Sequence, residues 1–412
     1  MKKSPLFIIF LVVFIDLLGF GMIIPILPYY VKSFGASAVT LSWLMASYSG
    51  MQFLFSPFWG NLSDRIGRRP VLQISILGIG ASMVVLGFAN SLFWLFLGRI
   101  IAGFFAANLS VASAYIADVT PPEKRAKGMG MIGAAFGLGF TLGPPIGGYL
   151  SKLGHGYGLP AYVVGGLAFL NFVFASLRLK EPDLSVELRK SHRNRPTSEL
   201  RKQILENPKT GLAILMFFLV TTGFAQLETT FALYLLSRFN LDADHAGYIL
   251  GYMGIVMILI QGGAIGRLVK AAGEIRLVFF GTGLMAISLL AASFSATQVL
   301  FILPLLILAF GYAITNPSLS SLTSRNAPRE IQGATMGTYQ SAGSLARIIG
   351  PLIAGLLYDH WGRQTPFWGA SALFFLVCVI SLVKKSVWNE NSLKGTSSQT
   401  PLTPSSPEPS PS

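Results

Sequence analysis

The chain has 412 residues, of which 52% are hydrophobic and only 12% are charged. Soluble domains carry about 25% charged residues, and a soluble fold could not bury this much apolar surface. The composition therefore excludes a water-soluble protein and predicts one that is surrounded by lipid. The single cysteine, Cys378, excludes a disulfide framework. No spacing typical of a metal site occurs, so we predict neither a metal nor another cofactor.

Twelve apolar stretches are each long enough to cross a bilayer, which takes about 20 helical residues. Helices are expected because lipid offers the backbone no hydrogen-bond partner. The first six stretches cover residues 6–30, 41–59, 71–89, 92–117, 129–150 and 159–179. The second six cover residues 212–236, 247–265, 277–295, 299–322, 334–358 and 366–383. We predict an all-α integral membrane fold with twelve transmembrane helices in two six-helix bundles.

The positive charges predict the orientation, because cytoplasmic loops are enriched in Lys and Arg. With the N-terminus placed inside, most of the 31 Lys and Arg residues fall on the cytoplasmic side. The loops predicted to lie outside contain only Lys32, Lys152, Arg238 and Arg363. Topology thus explains the net charge of +14, and no nucleic-acid partner is predicted. We predict a multi-pass protein of the bacterial inner membrane with both termini in the cytoplasm.

Polar segments divide the chain into four parts. Residues 1–179 are predicted to form the N-terminal six-helix bundle, and residues 210–383 the C-terminal one. Residues 180–209 are predicted to join them as a cytoplasmic linker, because a segment with mixed charges and few apolar residues cannot build a core. Residues 384–412 are rich in Ser, Pro and Thr and are predicted to be a disordered cytoplasmic tail.

The two halves also repeat each other. The sequence GNLSDRIGRR, which begins at Gly60, has a degenerate copy that begins at Gly266, 206 positions later. The Gly-Pro pair at residues 143–144 recurs at residues 350–351, 207 positions later. Matching offsets at equivalent places predict parallel repeats with a binding site between them near the midplane of the bilayer. This arrangement predicts alternating access by rocking of the two halves.

Several motifs at these places resemble one family. GNLSDRIGRRPVL is similar to the signature loop of the major facilitator superfamily. FIDLLGFGMIIPILP and LGRIIAGFFAA resemble motifs of its twelve-helix drug/proton antiporters, and AYIADVTPPEKRAKGMG resembles the tetracycline exporters. The residues that match the antiporter motif are Gly130, Gly139, Gly143, Pro144, Gly147 and Gly148. The resemblance covers residues 1–383. It implies a proton-coupled exporter of small amphipathic molecules or drugs, and we expect it to act as a monomer.

Each motif also has a purely structural interpretation. Tight helix packing alone would explain the glycines of the fifth stretch, where Pro144 permits a bend. In the loop, opposite charges at one membrane face suggest a gate on the cytoplasmic side. The residues predicted to form this gate are Gly60, Asp64, Gly67, Arg68 and Asp118. The alternative is that these charges are solvated and only set the topology.

Apart from Arg178 at the cytoplasmic end of the sixth stretch, four charged residues lie within the apolar stretches: Asp16, Arg99, Glu228 and Arg347. Each costs at least about 2.5 kcal/mol at the bilayer centre, so each is expected to face a cavity or a partner. A carboxyl group held away from water can exchange its proton near neutral pH. We predict proton coupling by Asp16 first and Glu228 second, each tuned by an arginine. The alternative is a static ion pair, for example between Asp16 and Arg99.

Uncharged polar residues within the stretches are candidates for a substrate cavity. They are Asn108, Tyr115, Gln226 and Gln340, and the alternative is that each bonds to a neighbouring helix. The third, eighth and ninth stretches contain no Asp, Glu, His, Lys or Arg. The tetracycline exporters carry such residues there, and this difference argues against tetracycline as the substrate.

The sequence ranks the remaining function classes. A proton-coupled antiporter comes first, and a proton-coupled uptake permease for a small metabolite is the alternative, because it would share the fold and the buried acids. The chain has no phosphate-binding loop, so an ion gradient is the expected energy source. The histidines are scattered over His155, His192, His245 and His360. No clustered catalytic set is visible, and we predict that the protein is not an enzyme.

Overall fold

The computed structural model describes residues 5–106, 108–120, 125–154, 156–182, 197–327 and 331–384. Within these ranges the chain is almost entirely helical and contains no strand, because helices satisfy their own backbone hydrogen bonds in lipid. Apart from Lys384, the predicted tail lies outside the described residues.

The first half forms eight helices within the described ranges. In chain order they are α1 (Pro5–Ile23), α2 (Leu27–Ser33), α3 (Ala38–Ile66), α4 (Arg68–Gly87), α5 (Leu92–Phe105), α6 (Asn108–Val119), α7 (Arg125–Leu153) and α8 (Gly158–Arg178). The first predicted stretch is therefore two helices. Pro25 lies in the break and Pro28 in the first turn of α2, where a proline costs no hydrogen bond. The fourth predicted stretch is likewise divided into α5 and α6.

The second half begins with a short helix and continues with long ones. They are α9 (Thr197–Glu206), α10 (Pro208–Phe239), α11 (Ala243–Leu259), a π-helical turn (Ile260–Ala264), α12 (Ile265–Ala272), α13 (Glu274–Ser293), α14 (Gln298–Arg325), α15 (Gln332–Trp361) and α16 (Thr365–Val383). The eighth predicted stretch thus runs through α11, the π-helical turn and α12.

Ten stretches of the described residues are long and apolar enough to cross a membrane. Helices α3 and α7 are not among them, although each has 29 residues and a length of about 43 Å. Both mix Gly, Ser and Thr with apolar residues. The multi-helix membrane fold is confirmed, and the count of twelve stays a prediction.

The helix pairings of the first half recur in the second. Helix α1 packs on α7 as α10 packs on α15, and α4 packs on α5 and α8 as α13 packs on α14 and α16. The two most extensive pairings between the halves are α3 with α15 and α7 with α11. Under the repeat, α3 corresponds to α11 and α7 to α15, so each of these pairs is the copy of the other. These four helices form most of the interface between the halves.

Candidate functional site

At one end of the interface the two halves are in close contact. A Cβ atom on Gly148 of α7 would lie 2.6 Å from the backbone oxygen of Ala243, at the start of α11. A Cβ atom on Gly355 of α15 would lie 2.8 Å from the backbone oxygen of Ala38, at the start of α3. Both approaches require glycine, because no side-chain carbon fits at these distances. We call this the closed end.

At the other end of the same helices the two halves are apart. On several glycines there, a Cβ atom would meet no atom within 4 Å beyond its own helix. These glycines are Gly60, Gly133, Gly262, Gly266 and Gly333. They belong to α3, α7, the α11–α12 segment and α15, the same segments that meet at the closed end. We infer that the interface is a cleft open at this end, and we call this the open end.

Arg99 of α5 lies deep in the protein, with only 2% of its surface exposed. Its guanidinium carbon is 4.2 Å from the centre of the Tyr48 ring in α3, and a cation at this distance is attracted to the face of the ring. Tyr48 also interacts electrostatically with Asp16 of α1 and Arg347 of α15. Within the described part of the chain, the Nε atom of Arg99 has no hydrogen-bond partner. The ring of Tyr48 is thus a principal support of this buried charge.

Glu228 of α10 belongs to the same group. It is partly buried and interacts electrostatically with Arg347 and Arg99. Tyr312 of α14 interacts with both Arg347 and Glu228. The structure therefore brings together the four charged residues that the sequence singled out, from α1, α5, α10 and α15. Glu228 and the two arginines offset part of each other's charge, in a place where one unpaired charge would be costly.

The two tyrosines of this group were not predicted. Tyr48 and Tyr312 lie on helices whose order in space is set by tertiary packing, and nothing in their local sequence distinguishes them from other tyrosines. Their ring neighbours are also aromatic: Phe20 lies 5.3 Å from Tyr48, and Phe224 lies 4.3 Å from Tyr312, between ring centres. Among the described residues, no group of three or more His, Cys, Asp or Glu side chains is arranged to hold a metal ion.

The uncharged cavity candidates lie in different surroundings. Tyr115 is 2% exposed, and its hydroxyl donates a hydrogen bond to the backbone oxygen of Lys180. Gln226 is 1% exposed, and its Oε1 atom has no hydrogen-bond partner within the described residues. Gln340 is exposed, and the side chain of Asn108 lies outside the described part. No contact described here joins Tyr115 to the charged group, and its place in a cavity stays a prediction.

Four of the five predicted gate residues meet where α3 joins α4. Gly67 alone links the two helices with a φ of 107°, which favours glycine. The Arg68 guanidinium at the start of α4 lies 2.6 Å from Asp64 and 2.9 Å from Asp118. Gly60 lies one turn before Asp64 on α3, and its backbone oxygen accepts a hydrogen bond from the Ser63 hydroxyl, which itself accepts one from Arg68. All these ion pairs lie within the first half, so in this conformation they do not join the two halves.

Glu181 also contacts the junction of α3 and α4, and this contact was not predicted. Its two carboxylate oxygens accept hydrogen bonds from the backbone N–H groups of Arg68 (2.6 Å) and Arg69 (2.8 Å). These are the first two residues of α4, whose N–H groups have no partner inside the helix. The sequence placed Glu181 in the linker between the halves. In the structure it holds the start of α4 and thereby positions Arg68.

The second half contains the equivalent of the Arg68–Asp118 ion pair with the two charges exchanged. Glu274, the first residue of α13, lies 206 positions after Arg68, and Arg325, the last residue of α14, lies 207 positions after Asp118. Glu274 and Arg325 form an ion pair of 2.5 Å. The repeat therefore conserves the contact and not the sign of each charge.

The antiporter-motif residues of α7 face two different helices. Gly139, Gly143 and Gly147 lie directly against the backbone of α1, whereas Gly148 and Pro144 contact the start of α11 in the other half. Gly130 is helical, and its contacts lie outside the described residues. The packing interpretation of the motif is thus correct for the described positions, and it includes a contact between the halves.

Comparison with known proteins identifies relatives over nearly the whole chain. The family model described as Major Facilitator Superfamily matches residues 9–351 and 330–409. The chain is 35% identical to the tetracycline resistance protein, class E, of Escherichia coli, with 84% of this chain and 86% of that protein covered. It is 31% identical to multidrug resistance protein 2 of Bacillus subtilis (strain 168), with 95% and 98% covered. The crystal structure of the human organic anion transporter MFSD10 (TETRAN) matches with a TM-score of 0.70 and 27% identity, with 92% of this chain and 99% of that chain covered. The resemblance to the tetracycline exporters is confirmed.

Proposed function

Because this chain belongs to the major facilitator superfamily, we propose that it is a proton-coupled antiporter that exports small amphipathic molecules or drugs. The observation that carries the proposal is the group of Asp16, Arg99, Glu228 and Arg347 beside a cleft between the halves. Relatives named for resistance to tetracycline and to multiple drugs support export of drugs over uptake of a metabolite.

The open end of the cleft is proposed to face the cytoplasm. Helix termini and loops at this end carry Arg65, Arg68, Arg267 and Arg325, as the positive-inside rule requires. The closed end carries few basic residues. The cleft would then receive a substrate from the cytoplasm and release it after the closed end opens. We further propose the inner membrane of a bacterium as the location, residues 1–179 and 210–383 as the two moving bodies, and a monomer as the working unit.

Competition between a substrate and protons is the proposed coupling step. A proton bound to Glu228 or Asp16 removes the negative charge that balances Arg347 and Arg99. A cationic amphipathic substrate binds better when the acids are ionised, whereas protonation leaves the arginines unbalanced and disfavours a cation. Protons favour the protonated state of the two acids, and the substrate favours their ionised state. The exchange of one for the other therefore couples the flux of protons to the flux of substrate.

Tyr48 is proposed to position Arg99 in this exchange. The ring keeps the guanidinium in place while the neighbouring acids gain and lose charge, since its attraction for a cation does not depend on their protonation. Tyr48 is therefore a positioning residue, and Asp16 and Glu228 are the groups that carry protons.

The test is proton movement in proteoliposomes that contain the purified protein and an imposed pH gradient. Cationic, neutral and anionic drugs, with tetracycline among them, are added one at a time. We expect a cationic or neutral drug to drive proton release in the wild type, and tetracycline to have little effect. Asp16→Asn or Glu228→Gln is expected to reduce the drug-driven proton flux by tenfold or more, about 1.4 kcal/mol of coupling.

Glu206→Gln is the matched control, because this carboxylate is exposed and lies on α9. It is expected to behave as the wild type. Unchanged proton flux in both Asp16→Asn and Glu228→Gln would contradict the proposed site. Accumulation of a compound in the direction of the proton gradient would instead assign the protein to the uptake permeases.

A further inference from the structure

Among the described residues, two contacts at the closed end join the halves through charged side chains. Asp359, near the end of α15, accepts hydrogen bonds from the backbone N–H groups of Ala38 (3.2 Å) and Val39 (2.9 Å), the first two residues of α3. Lys152, near the end of α7, has its Nζ atom 3.3 Å from Oδ2 of Asp244 in the first turn of α11. We call these the closed-end contacts.

The two contacts occupy the same place in the repeat. Lys152 and Asp359 are 207 positions apart, the offset of the two Gly-Pro pairs. Ala38 and Asp244 are 206 positions apart, the offset of the two loop copies. Lys152 of α7 thus occupies the position that Asp359 occupies in α15. Asp244 at the start of α11 occupies the position of Ala38 in α3.

The start of α3 explains why its partner is an anion. The first N–H groups of a helix have no partner inside it and carry partial positive charge. The hydroxyl of Ser37 accepts from the N–H of Thr40, and Asp359 accepts from the two residues before it. The N-terminus of α3 is therefore capped in part by the opposite half of the protein.

The start of α11 explains why its own partner is a cation. Asp244 already supplies a negative charge there, and one of its oxygens accepts from the backbone N–H of His245 at 2.9 Å. Its other oxygen faces Lys152. Because Asp244 is 7% exposed in its side chain, its charge is poorly hydrated and gains from a cation nearby. The ring Nδ1 of His245 lies 2.9 Å from Oδ1 of Asp244. One geometry thus favours a cation on α7 and an anion on α15.

We propose that the two closed-end contacts are charge-reversed copies of one device that holds the closed end shut, and that both must break when this end opens. Each contact lies beside a glycine that permits the backbones to touch, Gly148 or Gly355, and these glycines are also 207 positions apart. The inference goes beyond the proposed function, since it is independent of the substrate and of proton coupling.

The experiment measures the separation of the halves at the closed end in the full-length protein in lipid nanodiscs. Spin labels are placed at Leu153→Cys and Trp361→Cys, two exposed positions at the ends of α7 and α15, in a Cys378→Ala background. Pulsed electron resonance then gives the fractions of molecules with short and long distances. Asp359→Ala and Lys152→Asp are each expected to raise the long-distance fraction roughly fivefold or more, the effect of losing one capping contact. Asp359→Asn keeps one of the two acceptor oxygens and is expected to lie between Asp359→Ala and the wild type.

The decisive variant combines Lys152→Asp with Asp244→Ala, which gives the α7–α11 contact the chemistry of the α15–α3 contact. We expect this pair of substitutions to return the long-distance fraction to within about twofold of the wild type, because the new carboxylate can cap α11. The proposal is overturned if the double variant stays as open as Lys152→Asp alone, or if Asp359→Ala leaves the distances unchanged. A label pair within the first half, Ser33→Cys with Leu153→Cys, must keep its distance in every variant. A change there would assign the contacts a role in folding and would also overturn the proposal.

Discussion

Glycines at the two ends of the interface have opposite surroundings. At the closed end, Gly148 of α7 and Gly355 of α15 lie against the backbone of the opposite half. At the open end, Gly133 and Gly333 of the same two helices have no atom within 4 Å beyond their own helix. Glycine is needed at the closed end in this conformation, whereas at the open end no contact requires it.

This difference shows what a transporter of this architecture needs from its interface helices. Small residues permit close approach of backbones in a membrane, and the two ends of one helix cannot both approach the other half in a rigid-body rocking motion. We therefore expect the open-end glycines to make their contacts in a second conformation, in which the closed-end contacts have broken.

The largest expected effect comes from adding a side chain at the closed end. Gly148→Val places carbon atoms against Ala243 and Asp244, where even a Cβ atom would lie within 2.6–2.8 Å of backbone atoms. Overpacking costs about 1–3 kcal/mol, so we expect this conformation to be depopulated and the transport rate to fall by about tenfold or more. The measurement is the initial rate of drug-driven proton flux in proteoliposomes.

Gly133→Val is the matched control on the same helix. It meets no neighbour in this conformation, so binding of substrate from the open end is expected to stay within about twofold of the wild type, even if turnover slows. Equal loss of binding in both variants would show that the two ends do not differ in the way that the structure indicates.

An intermediate effect is expected at the centre, between the two ends. Tyr48→Leu removes the ring over Arg99; a desolvated cation–π contact contributes about 2 kcal/mol. We expect coupled transport to fall roughly tenfold and its pH profile to shift, since Arg99 would no longer hold its position near Glu228. Tyr48→Phe keeps the ring and is expected to retain most of the activity. The same loss in both variants would assign the effect to the hydroxyl group instead.

The smallest effect is expected within the first half at the open end. Glu181→Ala removes the acceptor for two backbone N–H groups at the start of α4, and loss of such a cap costs about 1 kcal/mol. Glu181→Ala is expected to unfold in detergent at a lower temperature than the wild type. Glu181→Gln is expected to unfold at a temperature between the two, and Glu206→Ala, at an exposed position, at the temperature of the wild type. A lower transport rate without loss of stability would instead place Glu181 in the gate itself.

Much of the fold and of the charged site could be predicted, because both depend on strong local signals. A charge such as Glu228 inside an apolar stretch is conspicuous, and the cost of burying it predicts a shared site before any contact is known. The partners that surround these charges could not be predicted in the same way. Tyr48, Tyr312 and Glu181 are ordinary residues of their segments, and only helix packing makes them neighbours of Arg99, Arg347 and Arg68.

The sequence by itself determined that this protein is a helical membrane protein made of two repeats, with four costly charges between them. Hydropathy, charge placement and the 206- to 207-residue offsets are properties of the linear chain. Only the tertiary structure decided which end of the cleft is closed, and that Lys152 and Asp359 are equivalent. The reason is physical: a contact between helices requires complementary charge and not a particular sign, so two copies of one contact can have opposite charges and look unrelated in sequence.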